Sequence, residues 1–308
     1  MARYILMRVF TMLVVAWVVV TLTFFMMKAL PGGPFSSEKA LPEAVLKNIE
    51  RRYHLDLPLS QQYFEYLKNV VKWDLGPSYR FVGMSVNQII NRGFPISATL
   101  GGISILISVF LGVPIGIVAA MRHNAPYDRA VSGLAVLTAA LPSFVISALL
   151  QFFLAFKWHL FPPALWGTPK QVVLPVIALC SFSLAWLTKL TRSTMLEVIG
   201  QDYIRTARAK GLPGMVIVYR HMLKNAMVPV IASLAPLTAG VLTGSFIIEN
   251  IFAIPGIGRE FVQSIQNRDY TTTLGMTVFF GLLLTGFTLI GDIITALIDP
   301  RVRLEKEG

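Results

Sequence analysis

The chain has 308 residues, of which 55% are hydrophobic and 14% charged, with a formal net charge of +11. Mean hydropathy is +0.64, which excludes a disordered chain, a coiled coil and an ordinary soluble globule. One cysteine, Cys180, cannot form an intrachain disulfide or supply a metal cluster, so disulfide and zinc chemistry are set aside as well.

Six uncharged runs follow along the chain, at 9–27, 93–121, 130–156, 171–188, 225–248 and 270–291. Each is long enough to cross a bilayer as a helix, because about 20 residues span about 30 Å of hydrocarbon. The chain is therefore expected to be an all-α polytopic membrane protein with six transmembrane helices. The first run follows Arg3 and Arg8 but is too long for the apolar region of a signal peptide. Lys28-Ala29-Leu30-Pro31-Gly32 offers no small-residue cleavage pattern, so a retained first helix is expected.

Between the first and second runs lies a segment of balanced charge. Val45, Leu46, Ile49 and Tyr53 fall on one helical face, with Pro42 near the start. Ser60 is placed to cap a second helix carrying Tyr63, Leu67 and Val70 on one stripe, and Asp74-Leu75-Gly76-Pro77-Ser78 reads as a turn. Two such helices can cap the outer membrane face or receive an external partner, and paired stripes do not choose between the two.

With that segment set aside, basic residues divide unequally. Arg3, Arg8, Arg122, Arg129, Lys189, Arg192, Arg205, Arg208, Lys210, Arg220, Lys224, Arg301, Arg303 and Lys306 lie on one side, against Lys28, Lys157, Lys170, Arg259 and Arg268 on the other. Short basic loops stay cytoplasmic, so both termini are expected inside and the long segment outside. Membrane topology thus explains the positive charge, and no nucleic-acid partner is expected. The organisation read from these features is a first helix at 1–30, an external segment at 31–92, a five-helix core at 93–299 with a cytoplasmic loop at 189–224, and a cytoplasmic tail at 300–308. The loop at 157–170, with Trp158, His159, Pro162, Pro163 and Trp166, has the aromatic character of an outer interface.

Within the cytoplasmic loop, Gln201 to Gly211 reads as a short helix. Asp202 stands near its N-terminus, Arg205, Arg208 and Lys210 toward its C-terminus, and Gly211 is placed to end it in the left-handed conformation. Ala207 and Ala209 permit close approach of another surface, while Arg205 and Arg208 share a face. Leu212-Pro213-Gly214 cannot continue the helix, which leaves a basic knob between two membrane helices.

Here the chain resembles the permease subunits of type I ABC importers, whose cytoplasmic loop forms a coupling helix that docks on an ATPase. Their general pattern is Glu-Ala-Ala, three residues, Gly, nine residues, Ile-x-Leu-Pro. Ala207, Gly211 and Leu223 match, while Arg205-Thr206-Ala207 and His221-Met222-Leu223-Lys224 depart at the acidic, isoleucine and proline positions. The run Tyr203-Ile204-Arg205-Thr206-Ala207-Arg208-Ala209-Lys210-Gly211 is instead similar to the peptide and nickel subgroup. So are Leu30-Pro31-Gly32-Gly33-Pro34, Glu249-Asn250-Ile251-Phe252, Pro255-Gly256-Ile257-Gly258, Asn267-Arg268-Asp269-Tyr270 and Asp299-Pro300-Arg301-Val302-Arg303. The external stretch looks most like the B-type permeases of oligopeptide systems.

The resemblance implies a type I (MetI-like) permease architecture in the bacterial inner (plasma) membrane and a function in oligopeptide import, with dipeptide or nickel import as the alternative. It implies coupling to the ATPase through Tyr203, Arg205, Thr206, Ala207, Arg208, Ala209, Lys210 and Gly211. It further implies an external gate or binding-protein contact at Glu249, Pro255, Gly256, Gly258, Arg268 and Asp269. The partners implied are a second homologous permease, two ATP-binding subunits, an external substrate-binding protein and a peptide, within a lipid bilayer. The dipeptide Gly-Lys is absent, so no phosphate-cradling loop of the Gly-x-x-x-x-Gly-Lys type exists here. The chain is accordingly expected to be no enzyme, with ATP and Mg²⁺ bound by the partner ATPases.

Other constellations are sparse. His54, His123, His159 and His221 all fall outside the runs, so no metal site and no catalytic residue are expected. Asp292 is expected to pair near the cytoplasmic interface with Lys189 or Arg192. Ser143, Ser147 and Gln151, and Ser181, Ser183 and Thr188, are expected in inter-helix hydrogen bonds. Gly112-x-x-x-Gly116 and Gly240-x-x-x-Gly244 mark packing faces, and Pro95, Pro114, Pro142, Pro175 and Pro229 are candidate kinks. A secondary transporter would show repeated halves and a midplane ion site, and neither is evident.

Overall fold

The structure is a computed structural model that describes residues 2–29, 56–81, 83–243 and 246–298. The expected helix bearing Val45, Leu46, Ile49 and Tyr53, and the segments 30–34 and 299–303, lie outside the described residues. Helix α1 (Ala2–Ala29) is followed by α2 (Leu59–Val71), α3 (Val86–Met121), α4 (Pro126–Ala140) and α5 (Ser143–Leu150), which runs into π-helical turns over Gln151–Lys157. Then come α6 (Pro169–Ile199) and the short α7 (Asp202–Ala209). A turn at Gly214–Val216 and a π-helical stretch at Ile217–Met222 lead into α8 (Leu223–Leu242). The described chain closes with α9 (Phe246–Ile251), α10 (Ile257–Gln266) and α11 (Tyr270–Ile298).

Among the described residues, five stretches are long and apolar enough to cross a bilayer: Ile5–Ala29, Val86–Met121, Pro169–Ile199, Gly214–Ile251 and Tyr270–Ile298. The sixth expected span, 130–156, is not one straight helix. Pro126–Ala140 and Ser143–Lys157 meet at 102°. Pro142 has no N–H to continue the ladder and excludes helical geometry from the residue before it, and Leu141 is extended at ψ 124°. The bend far exceeds the kink anticipated at Pro142, and the count is six only when the bent pair is taken as one span.

The described residues fall into two compact bodies. One comprises those of Met1–Ile96 and Pro255–Thr285, the other those of Ser97–Ile254 and Gly286–Gly308. In the first, α1 leaves Leu6, Phe10, Leu13, Trp17, Leu22 and Met26 exposed, while Val20 and Phe24 are buried. An apolar helix exposed on most of its surface suits lipid as its surroundings. Helix α2 packs on its outer end. Tyr63 and Tyr66 lie 5.4 and 5.8 Å, ring to ring, from Phe24, and the Tyr63 hydroxyl is 2.7 Å from the Thr21 hydroxyl. Leu67 and Val70 join a core made by Val20, Leu75, Val86, Ile89, Ile90, Met276 and Val278. The stripe read from sequence thus covers this chain's own helices. Ser60 is not the cap, however: Pro58 precedes the helix, and its carbonyl accepts the N–H groups of Gln61 and Gln62, so α2 starts one residue before Ser60. The turn at 74–78 forms as expected, with the Gly76 N–H on the Asp74 carboxylate at 3.0 Å, Gly76 at φ +84° and an antiparallel bridge from Pro77 to Ser85.

In the second body, α3 and α6 approach closely at the Gly112-x-x-x-Gly116 face. A Cβ added at Gly116 would stand 2.6 Å from the Thr188 carbonyl and 2.8 Å from the Thr191 Cβ, so only glycine permits this separation. One helical turn further toward the other end, the hydroxyls of Ser108 and Ser183 meet at 2.8 Å, one of the inter-helix bonds expected. Ser147 bonds the Ser143 carbonyl within its own helix and Ser181 that of Ile177, whereas the Gln151 amide reaches the Pro163 carbonyl at 2.7 Å. A Cβ added at Gly240 would find no heavy atom within 4 Å, so this glycine packs against nothing in the described chain, and Gly244 lies outside the described residues.

Candidate functional site

Helix α7 carries the candidate coupling residues. It spans Asp202–Ala209, and Gly211 follows at φ +73°, the left-handed geometry anticipated for the residue that ends it. An eight-residue helix is marginal by itself, and an apolar seat holds this one. Ile204 is fully buried and Ala207 is 5% exposed. They pack with Ala120 of α3, Met195 and Val198 of α6, and Ile217, Val218, Met222 and Ala226 at the entry to α8. The Asn225 amide donates to the Tyr203 hydroxyl at 2.8 Å, which ties the helix to α8 a second time. Ala207, read from sequence as a point of close approach, is approached by this chain itself.

The opposite face is solvent-exposed and basic. Tyr203, Arg205, Thr206, Arg208, Ala209, Lys210 and Gly211 are exposed. Arg205 lies 3.6 Å from Asp202, but both side chains are largely exposed, so the pair leaves the guanidinium available to a partner. Helix α6 continues to Ile199 and helical structure resumes at Gly214, so the non-helical chain on either side of α7 is confined to short turns. The apolar positions decide which face shows: Ile204 and Ala207, three apart, turn inward and oblige Arg205 and Arg208 to turn outward.

Near this end of the second body, Asp128 in the first turn of α4 is 2% exposed. Arg192 of α6 grips it with two bonds, Nε at 2.5 Å and Nη2 at 2.9 Å, while the N–H of Asn124 donates at 2.9 Å and His123 Nδ1 lies 3.4 Å away. This corrects the expectation for Arg192, which pairs with Asp128. Sequence reading passed over Asp128 because the residue sits in a short loop-to-helix junction; its signal was an acid in the first turn of a helix that starts at Pro126.

The external candidates divide by exposure. Glu249 is fully buried and accepts a bond from the Ser97 hydroxyl at 2.8 Å. Asp269 is 2% exposed and accepts from the Ser78 hydroxyl at 2.5 Å, the Tyr79 N–H at 3.1 Å, and the Thr272 hydroxyl and N–H at 2.8 and 3.2 Å. It staples the 74–85 turn to the start of α11. Gly256 and Gly258 are buried too, and a Cβ on Gly93 would meet Ile257 at 2.8 Å, so α3 and α10 lie in close contact there. Of the six residues expected at an external gate or binding-protein contact, only Pro255 is exposed and Arg268 partly so, the latter at φ +54°. As binding-protein contacts, Glu249, Gly256, Gly258 and Asp269 are corrected to internal positions, because a buried carboxylate is kept only by saturating it with donors and a buried glycine by close approach. Among the described residues no group of three or more His, Cys, Asp or Glu could hold a metal ion.

The architecture is that of a polytopic membrane component. Residues 112–304 match the binding-protein-dependent transport system inner membrane component family, and residues 1–100 match that family's N-terminal region. The chain belongs to this family and is a multi-pass inner-membrane permease component of bacterial ABC importers. It is 47% identical over its whole length, and the whole of the relative, to the dipeptide transport system permease protein of Bacillus subtilis (strain 168). It is 41% identical over 98% of its length to the oligopeptide transport system permease protein of Escherichia coli (strain K12), all of which is covered. Among solved structures, a methionine ABC transporter in inward-facing conformations aligns with a TM-score of 0.58 at 18% identity, covering 69% of this chain and 97% of that one. An amino acid ABC transporter aligns at a TM-score of 0.54 and 17% identity, covering 70% and 94%. These structural likenesses establish the fold.

Proposed function

We propose that this chain is one of two homologous permease subunits of an ATP-binding-cassette oligopeptide importer and forms half of its translocation path. The observation that carries the reading is α7, a helix seated by Ile204 and Ala207 that turns a basic face away from the chain. A permease without a phosphate-cradling loop needs its energy from elsewhere, and Gly-Lys is absent here. In this reading two partner ATP-binding subunits hold ATP and Mg²⁺ and bind α7 through Arg205, Arg208 and Lys210. ATP binding shifts the permease only if those contacts differ between its states. An external binding protein delivers the peptide on the side of Pro255 and Arg268, and both termini are cytoplasmic. The names of the relatives support peptide cargo, and the 47% identity to a dipeptide permease supports a second reading in which the cargo is shorter.

The test is co-purification with the second permease, the ATPases and the binding protein, followed by peptide-stimulated ATP hydrolysis in lipid. Arg205→Glu/Arg208→Glu is expected to uncouple or dissociate the complex while leaving α7 seated, since neither side chain contributes to its core. Full coupling in this variant would remove the helix from the mechanism. Uptake of peptides of graded length separates the two cargo readings.

A further inference from the structure

Two kinds of contact join α7 to the rest of the second body. The seat under Ile204 and Ala207 is apolar and is shared among α3, α6 and the chain that leads into α8. The other contact is polar and goes to α8 alone: the Asn225 amide, in the first turn of that helix, donates to the Tyr203 hydroxyl at 2.8 Å. Among the described residues it is the one side-chain hydrogen bond between α7 and another helix. We propose that Asn225 is a positioning residue for energy coupling, which through Tyr203 makes α8 follow α7 when a partner ATPase displaces that helix. The inference rests on the reading of α7 as the point where the ATP-binding subunits act.

The main chain between the two helices is poorly built to carry a displacement. Residues 210–213 are non-helical, and Ile217–Met222, directly before α8, is π-helical. Helices bend at π-helical turns, which occur most often at functional sites. A push on α7 that travelled along the backbone would be taken up in this stretch before it reached α8. The apolar seat does not fix the direction either, because burial is non-directional and part of the seat belongs to α3 and α6.

The bond from Asn225 bypasses the π-helical stretch. It joins Tyr203, the second residue of α7, to the third residue of α8. A hydrogen bond weakens steeply away from its preferred line, so this one holds the two helices in a single relative orientation. Tyr203 is 41% exposed and Asn225 is exposed as well. A bond so open to water adds little to the stability of the fold. The seat thus keeps α7 in place, and the polar tie sets whether α8 moves with it. From Leu223 that helix runs on within the Gly214–Ile251 span, so whatever α8 receives is passed into the membrane-crossing part of the chain.

The experiment uses the complete importer in lipid vesicles, with peptide uptake and ATP hydrolysis measured in one preparation. Asn225→Ala and Tyr203→Phe are each expected to lower peptide taken up per ATP hydrolysed by about two- to tenfold, the scale of one hydrogen bond. The double variant is expected to lose no more than the worse single one, since each change removes the same bond. Asn225→Asp offers the Tyr203 hydroxyl an acceptor and is expected to stay within about twofold of wild type. A substitution that merely weakens assembly lowers uptake and hydrolysis together and leaves their ratio alone. An unchanged ratio in Asn225→Ala, or losses that multiply in the double variant, overturns the proposal. Arg205→Glu/Arg208→Glu is assayed beside these variants. If it keeps full coupling, the reading of α7 itself has failed and the proposal falls with it; if it uncouples while Asn225→Ala does not, only the role of Asn225 has failed.

Discussion

Replacing Ile204 by alanine empties the seat of α7 without touching its exposed basic face. The side chain is fully buried among residues of three other helical segments, and an isoleucine-to-alanine change in such a site costs about 2–5 kcal/mol. An eight-residue helix has little stability of its own, so the loss falls first on its local docking. At about 3 kcal/mol the open population rises about 10²-fold, one factor of ten per 1.4 kcal/mol. Hydrogen exchange of the amides in 204–209 is the assay, and these are expected to accelerate by that factor while amides in the middle of α6 hold their protection. Peptide-stimulated ATP hydrolysis is expected to fall although Arg205 and Arg208 remain. Ile204→Val, costing about 0.5–1.5 kcal/mol, is expected to lie between. Unchanged exchange in 204–209, or equal acceleration throughout α6, would refute the argument that this apolar seat holds α7.

Three further predictions test the scaffold. Asp128→Asn strands the Arg192 guanidinium and is expected to cost about 3 kcal/mol, whereas the double change Asp128→Asn/Arg192→Met is expected to recover part of the loss; the midpoint of thermal unfolding, followed by exposure of the buried Cys180 thiol, checks both. Gly116→Leu is expected to force α3 from α6 and to lower stability by at least about 1–3 kcal/mol, while Gly102→Leu, where an added Cβ would meet no atom of another segment within 4 Å, is expected to be tolerated in the same assay. Burial pushes the Glu260 carboxyl above its ordinary range, against the opposing pull of Arg259. The folded chain therefore holds that proton more tightly than the unfolded one, so the stability linked to it is full below the ordinary carboxylate pKa and is lost as pH rises through the raised value. Glu260→Gln is expected to flatten that part of the pH–stability curve, and an unchanged slope would contradict it.

Much of α7 was legible in sequence. Asp202 before Arg205 and Arg208, with Gly211 after, is a local pattern, and local patterns survive into the fold because caps and left-handed turns depend on immediate neighbours. The external loops behaved otherwise. Glu249 and Asp269 have the residue type of surface contacts, yet each is buried, because the donors that satisfy them come from Ser97 and from Ser78, Tyr79 and Thr272. Ser97 and Ser78 lie far off in sequence, and nothing local announces such partners. The relation of Arg192 to Asp128 is of the same kind, sixty-four residues apart.

By itself, the amino-acid sequence determined the class of protein, since uncharged runs of about 20 residues leave a helix across a bilayer as the stable choice. It also determined the helix-ending glycine at 211 and the glycine face at 112 and 116, where a missing side chain is itself the signal. Only the tertiary structure decided how sharply the third span breaks at Pro142, which face of α7 is seated, and which carboxylates are spent inside the chain. The physical reason is common to all three. Proline marks a break but neighbouring helices set its angle, and an exposed or buried side chain is defined by what packs over it, which depends on residues that the chain brings together only on folding.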